Sequence, residues 1–432
     1  MSKYILRFIT SDDSVLLELE SPTITDFEQT EIIRDLRYCS STHEDGVNCF
    51  ALRMSDVLKS LYSRLKDKYG KAYPRFNAVV ALINRTPNGN ILTVVFNEPW
   101  DVKKEMGLQA FMEEQEGGKP AKETVAEYQE LFGEVLDHYN FVTADPRKFM
   151  KIGEQERAKR VCRFCGKMMP ETIFESDSHT ISEALGNKNF ISNDECDECN
   201  SRFGKGDGIE NDFLNMLAPQ ITIFGVKGKK HIPNFEGKDF RLIYEGKKED
   251  GENPTIHLEV VEEKPEPMID SVPPIHLETE RKCVPQNVYR VLCKYAIGML
   301  PSQYVPYFKK TIEWINGYFD ASYLPPVKYW FMNQKVVQPE LTVVLRKDDD
   351  CSFPFAFAEF TVLNAKYIYL IPFANDEECV EEREMYDRWW SLLKYAHSFP
   401  WREDNYTSTT PRKLNFNFNF HKGAFPNEEQ TV

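Results

Sequence analysis

The sequence predicts an α+β protein of several domains, with a small metal-stapled module between two mixed α/β regions. Three observations carry this expectation. The chain has 432 residues, more than one ordinary core organises. Strand-like alternation and helical periodicity are interspersed along it. Two Cys-x-x-Cys pairs, Cys162/Cys165 and Cys196/Cys199, stand thirty residues apart in its middle. The expected domains are 1–145, 146–215 and 216–432, with a linker near 263–274.

Taken in order, Tyr4 to Ile9 and Val15 to Leu19 read as strands, and Ser55 caps a helix whose apolar stripe includes Leu58, Leu61 and Leu65. Phe76 to Asn84 and Asn90 to Phe96 are apolar runs rich in β-branched residues, separated by the turn-forming Arg85 to Gly89, and predict a hairpin. Ala121 to Tyr139 predicts a helix. Past the second cysteine pair, the glycines of Gly204 to Gly208 predict a helix that breaks and restarts near Ile209. Phe240 to Glu245 and Thr255 to Val261 read as paired strands, and the Pro-rich Glu263 to Pro274 as a linker. Val284 to Leu300 predicts an amphipathic helix with Val288, Val291, Leu292 and Tyr295 on one side. Leu341 to Leu345 and Phe353 to Phe373 predict strands, and Glu381 to Tyr395 a helix.

Composition narrows the function classes. With 41% hydrophobic and 28% charged residues the chain is a folding one rather than a disordered one. Met1 to Thr10 lacks the apolar run of a signal peptide, and no uncharged apolar stretch approaches membrane-spanning length. A cytoplasmic protein without a membrane partner is expected. Ten cysteines in that setting argue against a disulfide scaffold. Cys39, Cys49, Cys283, Cys293, Cys351 and Cys379 lack ligand spacing and read as structural thiols. The net charge of −15 opposes general phosphate binding. Cations nonetheless cluster around the paired cysteines, from Arg147 to Lys167 and again at Lys227 to His231, while the acids gather in runs such as Asp376 to Glu384. Lys159, Arg160, Arg163, Lys167, Arg202 and Lys205 are the expected nucleic-acid contacts.

Four thiolates in two such knuckles fill the tetrahedral shell of one Zn²⁺, which leaves no open position and makes the ion structural. A thioredoxin-like dithiol, the competing reading, needs one such motif beside a βαβ unit. Between the pairs, Phe174 to Ser182 alternates in polarity and predicts a strand that carries His179 to a surface edge. Asn200 directly follows Cys199, so a zinc-bound helix fixes it beside the metal with an amide oxygen suited to a hard cation.

The order Cys-x-x-Cys, a histidine in a strand, Leu-Gly-Asn and Cys-x-x-Cys-Asn resembles the zinc-containing HNH endonucleases from Val161 to Asp212. The resemblance implies a ββα-metal, treble-clef-like module that cleaves phosphodiesters, with DNA as the expected substrate. By position it implies that His179 is the general base, Asn193 orients the imidazole, and Asn200 helps bind a catalytic Mg²⁺ or Mn²⁺. Asn187 and Asn189 share the loop with Asn193. It further implies a setting in bacterial defence or a mobile element, with the flanking domains selecting substrate or binding a protein partner.

The family commonly places an acidic metal ligand just before the histidine, where this chain has Ser178. Asp177, two residues from His179 and so on the same strand face, is the candidate substitute; Glu175 and Glu183 are further ones. A catalytically inactive zinc module for nucleic-acid or protein binding is the alternative function.

Overall fold

The structure, a computed structural model, describes residues 4–10, 13–19, 41–42, 49–96, 102–228, 231–247, 254–260, 275–332, 334–348, 350–376 and 383–418. These fall into two compact units, Met1–Asp137 and His138–Val432. The linker expected at 263–274 lies outside the described residues.

The first unit contains β1 (Tyr4–Ile9), β2 (Ser14–Leu19), β3 (Ser41–Thr42), β4 (Cys49–Arg53), α1 (Asp56–Tyr69), α2 (Phe76–Arg85), β5 (Ile91–Phe96), α3 (Val102–Gln115) and α4 (Ala121–His138). Its strands form one sheet in the order β2-β1-β5-β4-β3, with antiparallel pairing throughout. The Ser55 hydroxyl accepts the Leu58 N–H at 3.2 Å and starts α1 as expected. Leu6, Phe8 and Val94 from the sheet and Tyr62, Val79 and Ile83 from the helices share a core.

Phe76–Arg85 is a helix, which corrects the expected hairpin. Its buried residues, Phe76, Val79, Val80, Leu82 and Ile83, recur at three- and four-residue spacing. Packing of that stripe outweighs the modest strand preference of two valines and an isoleucine.

The second unit begins with β6 (Tyr139–Thr143), β7 (Met150–Ile152), β8 (Ser178–His179), β9 (Phe190–Ser192), α5 (Asp197–Gly204), α6 (Glu210–Met216) and α7 (Ala218–Ile223). It continues through β10 (Phe235–Glu236), β11 (Phe240–Lys247), β12 (Pro254–Val260), β13 (Ile275–Cys283), α8 (Pro285–Met299), α9 (Lys309–Ile315), β14 (Val327–Phe331), β15 (Glu340–Arg346), β16 (Ala356–Val362) and β17 (Ala365–Leu370). It ends with α10 (Arg383–Leu392), β18 (Arg402–Asp404) and β19 (Arg412–Phe418). The principal sheet has the order β18-β14-β17-β16-β15-β6. Alternation divides its side chains: Phe360, Tyr367 and Tyr369 belong to the core that contains α8, while Phe357 meets Tyr139 and Trp389.

Pro285 at the first turn suits the start of α8, but the helix is not amphipathic in place. Residues around its whole circumference are buried, including Arg290 and Lys294. Both cations have partners: Arg290 meets Asp320 at 2.8 Å, and Lys294 lies between Glu195 at 3.2 Å and Glu210 at 2.8 Å. A polar face can therefore be enclosed where neighbouring elements bring counter-charges.

One core joins the regions expected as 146–215 and 216–432. Phe164, Phe190, Phe203 and Phe213 pack with Tyr295 and Phe360, and the Phe213 ring lies 5.8 Å from that of Tyr367. The paired-cysteine module is thus built into a larger unit through α8.

Candidate metal centre and active site

The first knuckle is a tight turn. Cys162 N–H donates to Lys167 O, Gly166 N–H donates to Cys162 O, and Val161 bridges Met168. Gly166 has φ +74°, a left-handed conformation that a side chain would strain. The second knuckle is a helix start, with Cys196 as the N-cap of α5 and Cys199 in its first turn. Three-residue spacing puts both sulfurs on one side of the helix end.

The four Sγ atoms lie within 4.8 Å of one another, and Cys165 and Cys196 are 3.7 Å apart. Tetrahedral Zn²⁺ with bonds of about 2.3 Å needs sulfurs roughly 3.8 Å apart, so the donor set fits zinc. Hydrogen bonds from the Cys196 N–H to Cys162 Sγ and from Arg202 Nη2 to Cys199 Sγ, both 3.5 Å, stabilise negative sulfur. Hydrogen bonding with Cys199 brings the Cys162 thiol down to about 5, while burial pushes Cys165 up to about 11. A bound dication holds all four as thiolates.

The ββα arrangement follows from β8, β9 and α5. Ser178 and His179 pair antiparallel with Ser192 and Ile191, and β7 adds a parallel third strand on β9. Within the expected strand from Phe174 to Ser182 only these two residues are in extended pairing, because Asp197 captures the preceding backbone. Its carboxylate accepts the Glu175 and Ser176 N–H groups at 3.1 and 3.0 Å, and its own N–H reaches Ile173 O at 3.0 Å. Asp197 sits between the second pair's cysteines and so ties the approach to His179 to the metal helix.

Alternation holds at the histidine. Ser178 is buried, with its hydroxyl donating to Glu195 O at 3.3 Å, while Asp177, just before the strand, is exposed and the His179 side chain is 21% exposed with its Nδ1 enclosed. Asp177 is 72% exposed and lies 3.5 Å from Lys151. Glu175 pairs with Arg157 at 3.5 Å. Of the three carboxylates weighed as substitutes, Glu183 stands beside the imidazole, with Oε2 4.0 Å from His179 Nε2 and Oε1 2.7 Å from Lys188.

The loop asparagines separate by role. Asn187 is wholly buried, donates to Ile181 O and Phe190 O, and accepts the Asn189 and Phe190 N–H groups, so it shapes the β8–β9 connection. Asn189 donates to Pro146 O at 2.7 Å. Asn193 is buried at the end of β9, its N–H on Ile152 O and its Nδ2 paired with no described residue. Asn200 lines a cleft of about 540 Å³ with Pro170, Ile173, Ser176, Asp197 and Lys205. His179 is not part of that cleft's wall. Among the described residues, the four cysteines are the His, Cys, Asp and Glu group that can hold a metal ion.

The expected nucleic-acid contacts divide as well. Arg202 and Lys205 are exposed on and just past α5; Arg202 donates to Asn316 at 2.6 Å. Lys159 pairs with Glu156, Lys167 meets Glu198 at 3.1 Å, and Arg160 donates to Glu154 O. Arg163 is corrected outright: its side chain is 1% exposed and cannot meet a phosphate. Its guanidinium donates to Ile297, Gly298 and Leu300 carbonyls at 2.6 to 3.1 Å, satisfying the C-terminus of α8, and pairs with Asp194 at 3.3 Å. Short-range charge clustering gave no sign of this, because the partners are 31 to 137 residues away.

Arg163→Ala is expected to destabilise the second unit by about 3–5 kcal/mol, since it strands Asp194 and three carbonyls without water. Chemical denaturation followed by Trp fluorescence checks this; a loss below about 1 kcal/mol would show the pair to be dispensable.

Residues outside the motif complete the support. Lys294 lies 5.7 and 5.4 Å from the Phe164 and Phe203 rings, between Glu195 and Glu210. Burial pushes Glu195 up to about 7, with Lys294 opposing and Glu210 reinforcing the rise, while the two carboxylates hold Lys294 above its ordinary value. Two cations, Arg290 and Lys294, in the otherwise apolar run Val288 to Leu300 were the available sequence sign. At Gly298 α8 runs beside Thr180, where an added Cβ would sit at ordinary contact distance, 3.4 Å.

Among the described residues no helix is long and apolar enough to cross a membrane. No curated protein and no solved structure matches the chain. Residues 162–217, which hold both knuckles, the His179 strand and the metal helix, match the family of HNH endonucleases, so the module at the centre of this chain is an HNH endonuclease module.

Proposed function

We propose that the protein is a metal-dependent DNA endonuclease. The observation that carries this reading is the HNH match over a segment whose His179 lies on the two-residue strand β8, the approach to which is anchored through Asp197 to the second-knuckle helix. His179 takes a proton from the attacking water, and the adjacent Glu183 carboxylate favours the imidazolium that results. Asn200, fixed one residue past Cys199, offers an amide oxygen to Mg²⁺ or Mn²⁺, and Asp177 is the exposed carboxylate two residues before His179. When bound, that ion supplies Lewis-acid stabilisation of the phosphorane and departing oxygen. Arg202 and Lys205 supply positive charge for the backbone.

A specific observation keeps a second reading: the exposed Asp177 lies nearest a lysine, and Asn193 is enclosed. That favours a zinc module that binds nucleic acid without turning it over. Incubating zinc-loaded protein with supercoiled plasmid and Mg²⁺ or Mn²⁺ separates the two. The nuclease gives open circles that EDTA prevents and added metal restores. Salt-sensitive retardation of intact plasmid under every metal would instead establish the binding module.

A further inference from the structure

A pocket of about 440 Å³ opens between α6, α7 and β13, and neither His179 nor Asn200 is part of its wall. The volume falls within the roughly 300–1,000 Å³ of small-molecule sites. Leu214, Ala218, Ile221 and Pro233 give it an apolar side. The Thr222 hydroxyl, donating to Pro233 O at 2.9 Å, holds the chain after α7 against that helix. Asn211, Asn234 and the exposed His231 place polar groups around the same space, and Arg281 brings a permanent positive charge.

Arg281 lies at an irregularity in the sheet. The β13–β19 register jumps between Glu278 and Lys282, so that Thr279, Glu280 and Arg281 stand opposite Leu414 alone. Such a bulge turns side chains out of the regular alternation. The half-buried guanidinium lies 5.5 Å from the Phe235 ring, and its Nη1 donates to Asn215 Oδ1 at 3.0 Å. Asn215 in turn donates to Lys282 O at 3.1 Å, so both ends of that amide are used in holding the cation. Neither an aromatic face nor a neutral amide cancels its charge. Glu236 acts on Arg281 from a distance, but its carboxylate pairs with Arg241 at 2.8 Å. Among the described residues that line the pocket there is no Asp or Glu. Burial accordingly holds the Arg281 pKa below its ordinary value, with Glu236 opposing only in part. A half-buried cation that lacks a carboxylate and faces an apolar wall is complementary to an anion with an apolar body.

We infer that this pocket binds a nucleoside monophosphate, with the phosphate at Arg281 and the base against Leu214, Ala218 and Ile221. Arginine suits phosphate because its planar fork of donors meets two oxygens at once. The flat base fits the apolar wall, and the Asn211 and Asn234 amides offer donors and acceptors to its edge. A space of this size holds one nucleotide and excludes a duplex. The site does not depend on catalysis at His179.

The test titrates full-length zinc-loaded protein with AMP, GMP, CMP and UMP, and with the corresponding nucleosides, in a calorimeter. Saturable binding of at least one nucleotide at one site per chain is expected, with its nucleoside bound about tenfold more weakly. Arg281→Gln should weaken that nucleotide about tenfold and leave the nucleoside unchanged. Ala184→Trp, at a half-buried position on the wall, should remove binding of both. Lys309→Gln, an exposed cation outside the pocket, should change neither. Zinc content and melting temperature verify that the variants fold, and Arg281→Gln decides the matter if Ala184→Trp does not. No saturable binding of any of the nucleotides, or binding that Arg281→Gln leaves unchanged, would overturn the site. A 5′-phosphorylated trinucleotide that binds more tightly than the monophosphate, and loses that affinity in Arg281→Gln, would overturn the mononucleotide in favour of a nucleic-acid end.

Discussion

Replacing His179 with alanine is expected to reduce plasmid nicking by on the order of 10³-fold while zinc content and thermal stability stay at wild-type levels. The selectivity follows from position. His179 is half-buried on a two-residue strand whose pairing uses only backbone, and Ser178, facing the interior, makes the packing contact there. Truncating the imidazole therefore removes a proton acceptor without opening the core. His179→Asn, which preserves size and polarity but is no base near neutral pH, should be as inactive as the alanine variant. Rates are read from the decay of supercoiled plasmid at saturating Mn²⁺. Nicking at wild-type rate by both variants would place the base elsewhere, and Glu183, 4.0 Å away, would be the first residue to examine.

Substitution of Cys196 by serine is expected to have the largest effect on folding. Cys196 is wholly buried, caps α5 and donates its N–H to Cys162 Sγ, so one residue serves metal, helix and knuckle. Structural zinc sites contribute on the order of 10 kcal/mol of apparent binding energy, more than the few kcal/mol by which a domain is stable. The wild type should carry one zinc per chain, and Cys196→Ser should lose it together with near-ultraviolet circular dichroism and resistance to proteolysis. The exposed Cys351 provides the control: Cys351→Ser should keep the metal. Because the module shares its core with α8 and the large sheet, unfolding should spread across the second unit rather than stop near residue 215. A well-folded, zinc-free wild type would contradict the structural assignment.

Elements governed by nearby residues were the legible ones. The Ser55 cap, the helix break between Gly204 and Glu210, the strand pair of β11 and β12 and the span of α8 all match the reading of local pattern. The paired cysteines were legible for the same reason, since tetrahedral ligation imposes a short-range spacing that the sequence displays directly. Phe76–Arg85 was misread because an apolar run of ten residues satisfies strand and helix patterns alike, and the choice depends on which stripe the first unit's core accepts.

The site shows the same division. Sequence alone determined the four zinc-type ligands and the placement of Asn200 one residue past a ligand, because each depends on spacing within a turn. Only the tertiary structure decided that Arg163 closes the end of α8 rather than meeting phosphate, that Glu183 rather than Asp177 stands beside the imidazole, and that Lys294 lies enclosed between Glu195 and Glu210. The reason is electrostatic. A charged side chain has no preferred environment in sequence; it becomes a surface contact or a buried clamp according to whether distant segments bring the carboxylates and carbonyls that replace its water.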